Sequence, residues 1–177
     1  MACILITNSH FDILYGNYSW LSTGGAIGDA LFFFCSGFAL YLGGERRFDN
    51  WYKRRIRRIY PTVFAWALIS IFIFEEQLTI SRVFGADFWF VCCIMIYYPV
   101  FYIVKKYFKE SLRLVCLILF LIFGIFYLLP ILPQGYMIFA DSMFRWCFFF
   151  IYMLLGAIIG KKSYVERAIT PQKHSLI

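Results

Sequence analysis

His10, with Asn8, Ser9 and Asp12 around it, is one of two histidines in a 177-residue chain that is 62% hydrophobic. An imidazole changes charge near neutral pH, so it can take a proton from a reacting group and hand it back. The cluster interrupts an apolar segment, Met1–Tyr15, where an ionisable group is costly and is retained for a use. On a helix, Ser9 and Asp12 lie three apart and share a face, while His10 points to an adjoining one. The competing role for His10 is that of an interfacial residue closing a helix end. A second group with chemistry to offer is Arg46, Arg47, Lys53, Arg54, Arg55, Arg57 and Arg58, seven cations set against Glu45 and Asp49. Guanidinium forks match the geometry of phosphate oxygens, so this basic loop is read as a seat for a phosphate-rich anion.

Three further features could support or mimic a site. Asp29 is an intramembrane acid, read as lying in the first turn of its helix, where the amino-terminal dipole stabilises a carboxylate. It follows Gly24, Gly25 and Gly28, which are no nucleotide loop, because no Lys-Ser/Thr follows them. Close backbone packing or a tight turn accounts for them better. In Ser36-Gly37, small residues allow a neighbouring helix to approach, and the Ser36 hydroxyl can return its proton to a carbonyl one turn back. The six cysteines, at 3, 35, 92, 93, 116 and 147, lie in or at the ends of apolar segments. They show neither zinc-ligand spacing nor a disulfide framework, so no metal site is expected.

The elements that must position these residues are membrane spans. The 62% apolar content and 15% charged content lie well outside the roughly 45–50% and 25% of soluble domains. Six apolar segments follow: Met1–Tyr15, Ile27–Leu42, Ile59–Phe74, Phe88–Val104, Leu114–Leu129 and Phe144–Ile159. The fold class is therefore an all-α, polytopic transmembrane bundle of about six spans, occupying residues 1–160, with a polar cytosolic tail over 161–177. Fifteen of the seventeen basic residues, all but Arg82 and Arg145, fall on one side of this serial bundle. By the positive-inside rule that side is the cytosol, and both termini lie on it. The net charge of +7 is concentrated beside the spans and is not read as a nucleic-acid surface.

The order of these residues carries a resemblance. Asn8-Ser9-His10, then Phe33-Phe34-Cys35-Ser36-Gly37, then Arg55-Ile56-Arg57-Arg58-Ile59-Tyr60-Pro61 resembles the acyltransferase-3 family of membrane O-acyltransferases. That family places a His near the end of the first span, an F-F-x-x-S-G segment on the second and R-x-x-R-I-x-P opening the third. Trp89-Phe90 is similar to the family's W-F pair. Family members are largely bacterial and modify surface polysaccharides, lipopolysaccharide, peptidoglycan or secreted small molecules. They are longer chains with more spans, so the resemblance covers about the amino-terminal half of their fold. A basic residue they carry upstream of the His would here precede Met1. The chain thus reads as a fragment that is inactive alone.

The resemblance implies transfer of an acyl group, most often acetyl, from acyl-CoA as co-substrate to a hydroxyl of a cell-surface glycan or related acceptor, at the bacterial inner membrane. No bound cofactor is implied. Arg54, Arg55, Arg57 and Arg58 would hold the phosphates of CoA. His10 would act as general base or as a transient acyl carrier. Asp29 and Ser36 would support them, and Pro61 would mark the first turn of the third span. A reading from a different class is a non-catalytic transporter or flippase-like bundle whose basic loop binds anionic lipid. A small structural membrane subunit is a third.

Overall fold

A computed structural model describes residues 1–44, 47–74, 89–128 and 142–174, all helical or in turns, with no strand among them. The chain divides into two compact units, residues 1–44 with 108–177, and residues 45–107. In chain order the helices are α1 (Ala2–Asn8), α2 (Asp12–Tyr15), a 3₁₀ helix (Gly16–Leu21), α3 (Gly25–Leu42), α4 (Phe48–Phe74), α5 (Trp89–Tyr107), α6 (Leu112–Leu128) and α7 (Ser142–His174). Three stretches among the described residues, Gly16–Leu42, Phe90–Tyr107 and Trp146–Tyr164, are long and apolar enough to cross a membrane, and Leu112–Phe126 is a shorter apolar helix. The all-α membrane bundle expected from composition is the fold.

Three of the expected segments, Ile27–Leu42, Phe88–Val104 and Leu114–Leu129, appear close to their expected bounds, and the differences elsewhere are instructive. The first segment is not one helix. It breaks at Ser9–Phe11, where the Ser9 hydroxyl turns back onto the Ile6 carbonyl and competes with the helix ladder. The basic stretch is not a loop either: Lys53 to Arg58 belong to the opening turns of α4, and Pro61 lies inside that helix. A proline inside a membrane helix is tolerated where neighbouring groups satisfy the carbonyl it leaves free. At the far end, α7 continues to His174, through most of the stretch read as a polar tail. Glu45, Arg46, residues 75–88 with Arg82, residues 129–141 and residues 175–177 lie outside the described residues.

The larger unit is organised by α3 and α7. Phe33 stacks on Phe149 at 5.6 Å, Gly37 lies against the backbone of Met153, Gly156 against that of Phe34, and Gly160 beside Phe38 and Tyr41. Positions rise together along both helices, so the two run parallel, backbone against backbone. Met153, Leu154 and Ala157 are fully buried there, and Phe33 nearly so. In hydrocarbon the lipid tails are as apolar as the core, so close contact and dispersion, not water exclusion, bring helices together. Glycine makes the contact possible. Helix α1 packs antiparallel on the start of α3, with Leu5 on Gly24, Ser9 on Gly25 and Ile6 on Gly28. Gly24, at φ 93°, supplies the left-handed turn into α3. At the other end Lys161 donates to the Lys109 carbonyl at 3.0 Å and to the Glu110 carboxylate at 2.6 Å, tying α7 to the start of α6. That contact holds the Glu110 carboxyl below its ordinary range.

In the smaller unit α4 and α5 run antiparallel. Tyr52 meets Met95, Trp51 meets Tyr98 at 5.9 Å, and Phe48 meets Tyr102 at 5.1 Å.

Because a Cβ at Gly37 would overlap the Met153 carbonyl, Gly37→Ala should destabilise the protein by about 1–3 kcal/mol, read as a lower thermal midpoint in detergent. Gly124→Ala is the control, since open space surrounds that helical glycine; it should be neutral or stabilising by roughly 0.5–1 kcal/mol. An unchanged midpoint for Gly37→Ala would mean the two helices do not meet at this point.

Candidate functional site

The candidate residues fall in both units. In the larger unit His10 sits in the turn after α1, two residues past its end, with its backbone N–H on the Thr7 carbonyl at 3.1 Å. The residue is exposed. The polar sequence ends α1 at Asn8, so the turn carries His10 beyond that helix. Burial gives His10 no special status. What it offers is an accessible imidazole on a short, fixed turn.

That turn is fixed by Asn8, whose importance sequence reasoning misses. Its side-chain amide donates to the carbonyls of Leu21 at 2.8 Å and Thr23 at 3.1 Å. Its side-chain carbonyl accepts the Tyr15 hydroxyl at 2.7 Å, and its backbone carbonyl accepts the Ser22 hydroxyl at 3.0 Å. The sequence places Asn8 in the polar cluster beside His10, and nothing local in it encodes the bonds to residues 15, 21, 22 and 23.

Asp29 and Ser36 lie on α3. Since α3 begins at Gly25, Asp29 falls beyond its first turn, and the helix-terminus explanation for its carboxylate is corrected accordingly, because that field fades within one turn. Asp29 is the buried charged residue among those described, 6% exposed and engaged in a polar interaction. Ser36 is half-buried beside Gly37. Seven residues of helix separate the two, about 10 Å of rise.

The smaller unit carries the cationic residues. Arg47, Asn50, Lys53, Arg54 and Arg57 line a cleft of about 550 Å³. Asn50, Lys53, Arg54 and Arg57, spaced by helical steps, share one face of α4, and Arg47 immediately precedes that helix. Arg47 is also 3.7 Å from Asp49, both side chains being largely exposed, an ion pair too open to neutralise the cleft. The four arginines singled out by sequence therefore divide. Arg54 and Arg57 face the cleft. Arg55 is half-buried, with its guanidinium 5.7 Å from the Trp51 ring centre and 5.9 Å from that of Tyr98, within cation–π range. Arg58 is exposed and outside the cleft lining. Lys53 and Asn50 join the set, which helical periodicity reveals once the stretch is read as a helix. Among the described residues no three His, Cys, Asp or Glu side chains gather as metal ligands.

Tyr52 explains how α5 accommodates its internal proline. Pro99 has no N–H to donate to the carbonyl four residues back, that of Met95. The Tyr52 hydroxyl donates to that carbonyl at 3.2 Å, which anchors the cationic end of α4.

A family model described as an acyltransferase domain matches residues 1–173, almost the whole chain. The chain belongs to that family, the acyltransferase-3 family of membrane acyltransferases. No curated protein and no solved structure matches it.

Tyr52→Phe should cost about 1 kcal/mol of stability, measured by thermal unfolding in detergent. In a Pro99→Ala background, where residue 99 regains its N–H, the same change should cost little. Equal costs in both backgrounds would show that the hydroxyl and the proline are uncoupled.

Proposed function

We propose that this acyltransferase-3 family member takes its acyl group, acetyl in the simplest case, from acyl-CoA on the cytosolic side and passes it to a hydroxyl of a surface glycan or similar acceptor. The observation that carries the donor half is the cleft on α4, where Lys53, Arg54 and Arg57 present cations on one helical face beside Asn50, with Arg47 just before the helix. A nucleotide phosphate group needs several donors converging on one side, which scattered surface cations do not offer. Arg54 and Arg57 hold the phosphates directly. Arg55 acts differently. Held over Trp51 and Tyr98, it stiffens the α4–α5 pair and adds to the positive field. The concentration of basic residues beside the spans favours the cytosolic placement.

In the chemical step His10 removes the proton from the acceptor hydroxyl. The oxygen attacks the thioester carbonyl, the carbon–sulfur bond breaks, and the departing thiolate recovers the proton from the imidazolium as free CoA. The exposure of His10 suits an exchange in which acceptor and proton must both arrive and leave. The support for His10 is its place in the family's motif order and its presentation on a fixed turn.

Two measurements test this reading. Arg54→Ala with Arg57→Ala should weaken CoA binding by roughly tenfold or more, since 1.4 kcal/mol is a factor of ten and each charge-assisted bond contributes about that or more. Binding of S-acetylpantetheine, which lacks the nucleotide phosphates, should stay unchanged. Undiminished CoA binding in the double variant would assign the cleft to anionic lipid instead. Assayed in the completed, transfer-competent protein, His10→Ala should lower acyl transfer by about 10²–10⁴-fold with CoA binding intact. Full transfer in that variant would remove His10 from the mechanism.

A further inference from the structure

The turn that carries His10 has little apolar burial to hold it. Neither α1 nor the 3₁₀ helix contains a buried residue, and most residues from Leu14 to Leu21 are exposed. Helices of four and six residues are far too short to persist alone. What closes this segment is one side chain. Asn8 uses both amide hydrogens, on the carbonyls of Leu21 and Thr23, and its amide oxygen accepts from Tyr15. Its backbone carbonyl takes the Ser22 hydroxyl as well as the Phe11 N–H at 3.1 Å. The residue thus ties the end of α1 to points seven to fifteen residues later, and His10 lies inside the closed loop, two positions from the knot.

We infer that Asn8 is a positioning residue that fixes the orientation of the His10 imidazole by cinching residues 8–23; its consequence for turnover rests on the role proposed for His10. The chemistry of the amide is what matters. Aspartate at this position keeps an acceptor for Tyr15 but sets carboxylate oxygens against two carbonyls, and alanine loses all three side-chain bonds. Tyr15→Phe removes one bond and leaves the two to Leu21 and Thr23.

The test has one arm free of activity and one that uses it. The protein has two histidines, His10 and His174, so ring-labelled histidine in the full chain in nanodiscs gives two sets of imidazole signals, with His174 as an internal reference. Asn8→Ala and Asn8→Asp should shift and broaden the His10 signals and leave those of His174 in place. Tyr15→Phe should give a smaller change in the same direction. Unmoved His10 signals in Asn8→Ala would overturn the inference, whatever the catalytic role of His10. In the completed, transfer-competent protein, Asn8→Ala should lower the kcat of acyl transfer from acetyl-CoA by about 100-fold, the order expected for a misplacement near 1 Å, with the KM for acetyl-CoA unchanged. A normal kcat in Asn8→Ala alongside an inactive His10→Ala would overturn the positioning role alone. Normal transfer in His10→Ala would instead defeat the proposed mechanism, and the spectra would still decide whether Asn8 orients the ring.

Discussion

The backbone-to-backbone contact between α3 and α7 is the constraint on which the larger unit depends. A water-soluble bundle is driven together by the removal of apolar surface from water; in a bilayer that drive is absent between helices. Gly37, Gly156 and Gly160 lower the helix surfaces until backbone meets backbone, and large side chains such as Phe33, Phe149 and Met153 fill the space on either side. The same device recurs where α1 meets Gly24, Gly25 and Gly28 on α3. The segment bearing His10 is thereby hung on the helix that the α7 contact holds in place. Sequence, packing and candidate chemistry are linked by a handful of missing side chains.

Polar groups are treated sparingly and locally. Tyr52 covers a carbonyl that Pro99 leaves without its helical donor, and Lys161 answers both a carbonyl and a carboxylate at the start of α6. Asn8 answers several groups at once. Each arrangement places one polar side chain at an irregularity of the backbone, where unsatisfied peptide groups are most expensive. The cationic face of α4 stands apart from this pattern. Its charges converge on a cleft and exceed what local acids can balance, which is why it is read as a seat for an anionic partner.

Much of this is legible in the sequence, for a physical reason: long apolar runs have one solution in a bilayer. Ile27–Leu42 corresponds to α3, Phe88–Val104 to α5 and Leu114–Leu129 to α6, each within a few residues. The glycines before Asp29 and in Ser36-Gly37 read as packing residues and do pack. The Gly156-xxx-Gly160 pair on α7 carries the same signal, and its importance shows only once α3 lies against it. Less legible is the basic stretch. Its charge density suggests a loop, but arginine and lysine are good helix formers, and a proline at 61 does not force a helix to begin there. Reading it as a loop hides the periodicity that separates Arg54 and Arg57 from Arg55. The knot around Asn8 is out of reach, since it joins residues up to fifteen apart through hydrogen bonds that no local pattern encodes.

The central claim, that the cationic face of α4 holds the phosphates of an acyl donor on the cytosolic side, is most directly tested by site-specific thiol labelling. Asn50→Cys, in the cleft lining and in an otherwise cysteine-depleted protein, is exposed to a membrane-impermeant maleimide in vesicles of known orientation. The account predicts labelling from the cytosolic side only, slowed by acetyl-CoA and not by S-acetylpantetheine. Labelling from the opposite side, or a rate indifferent to acetyl-CoA, would contradict it.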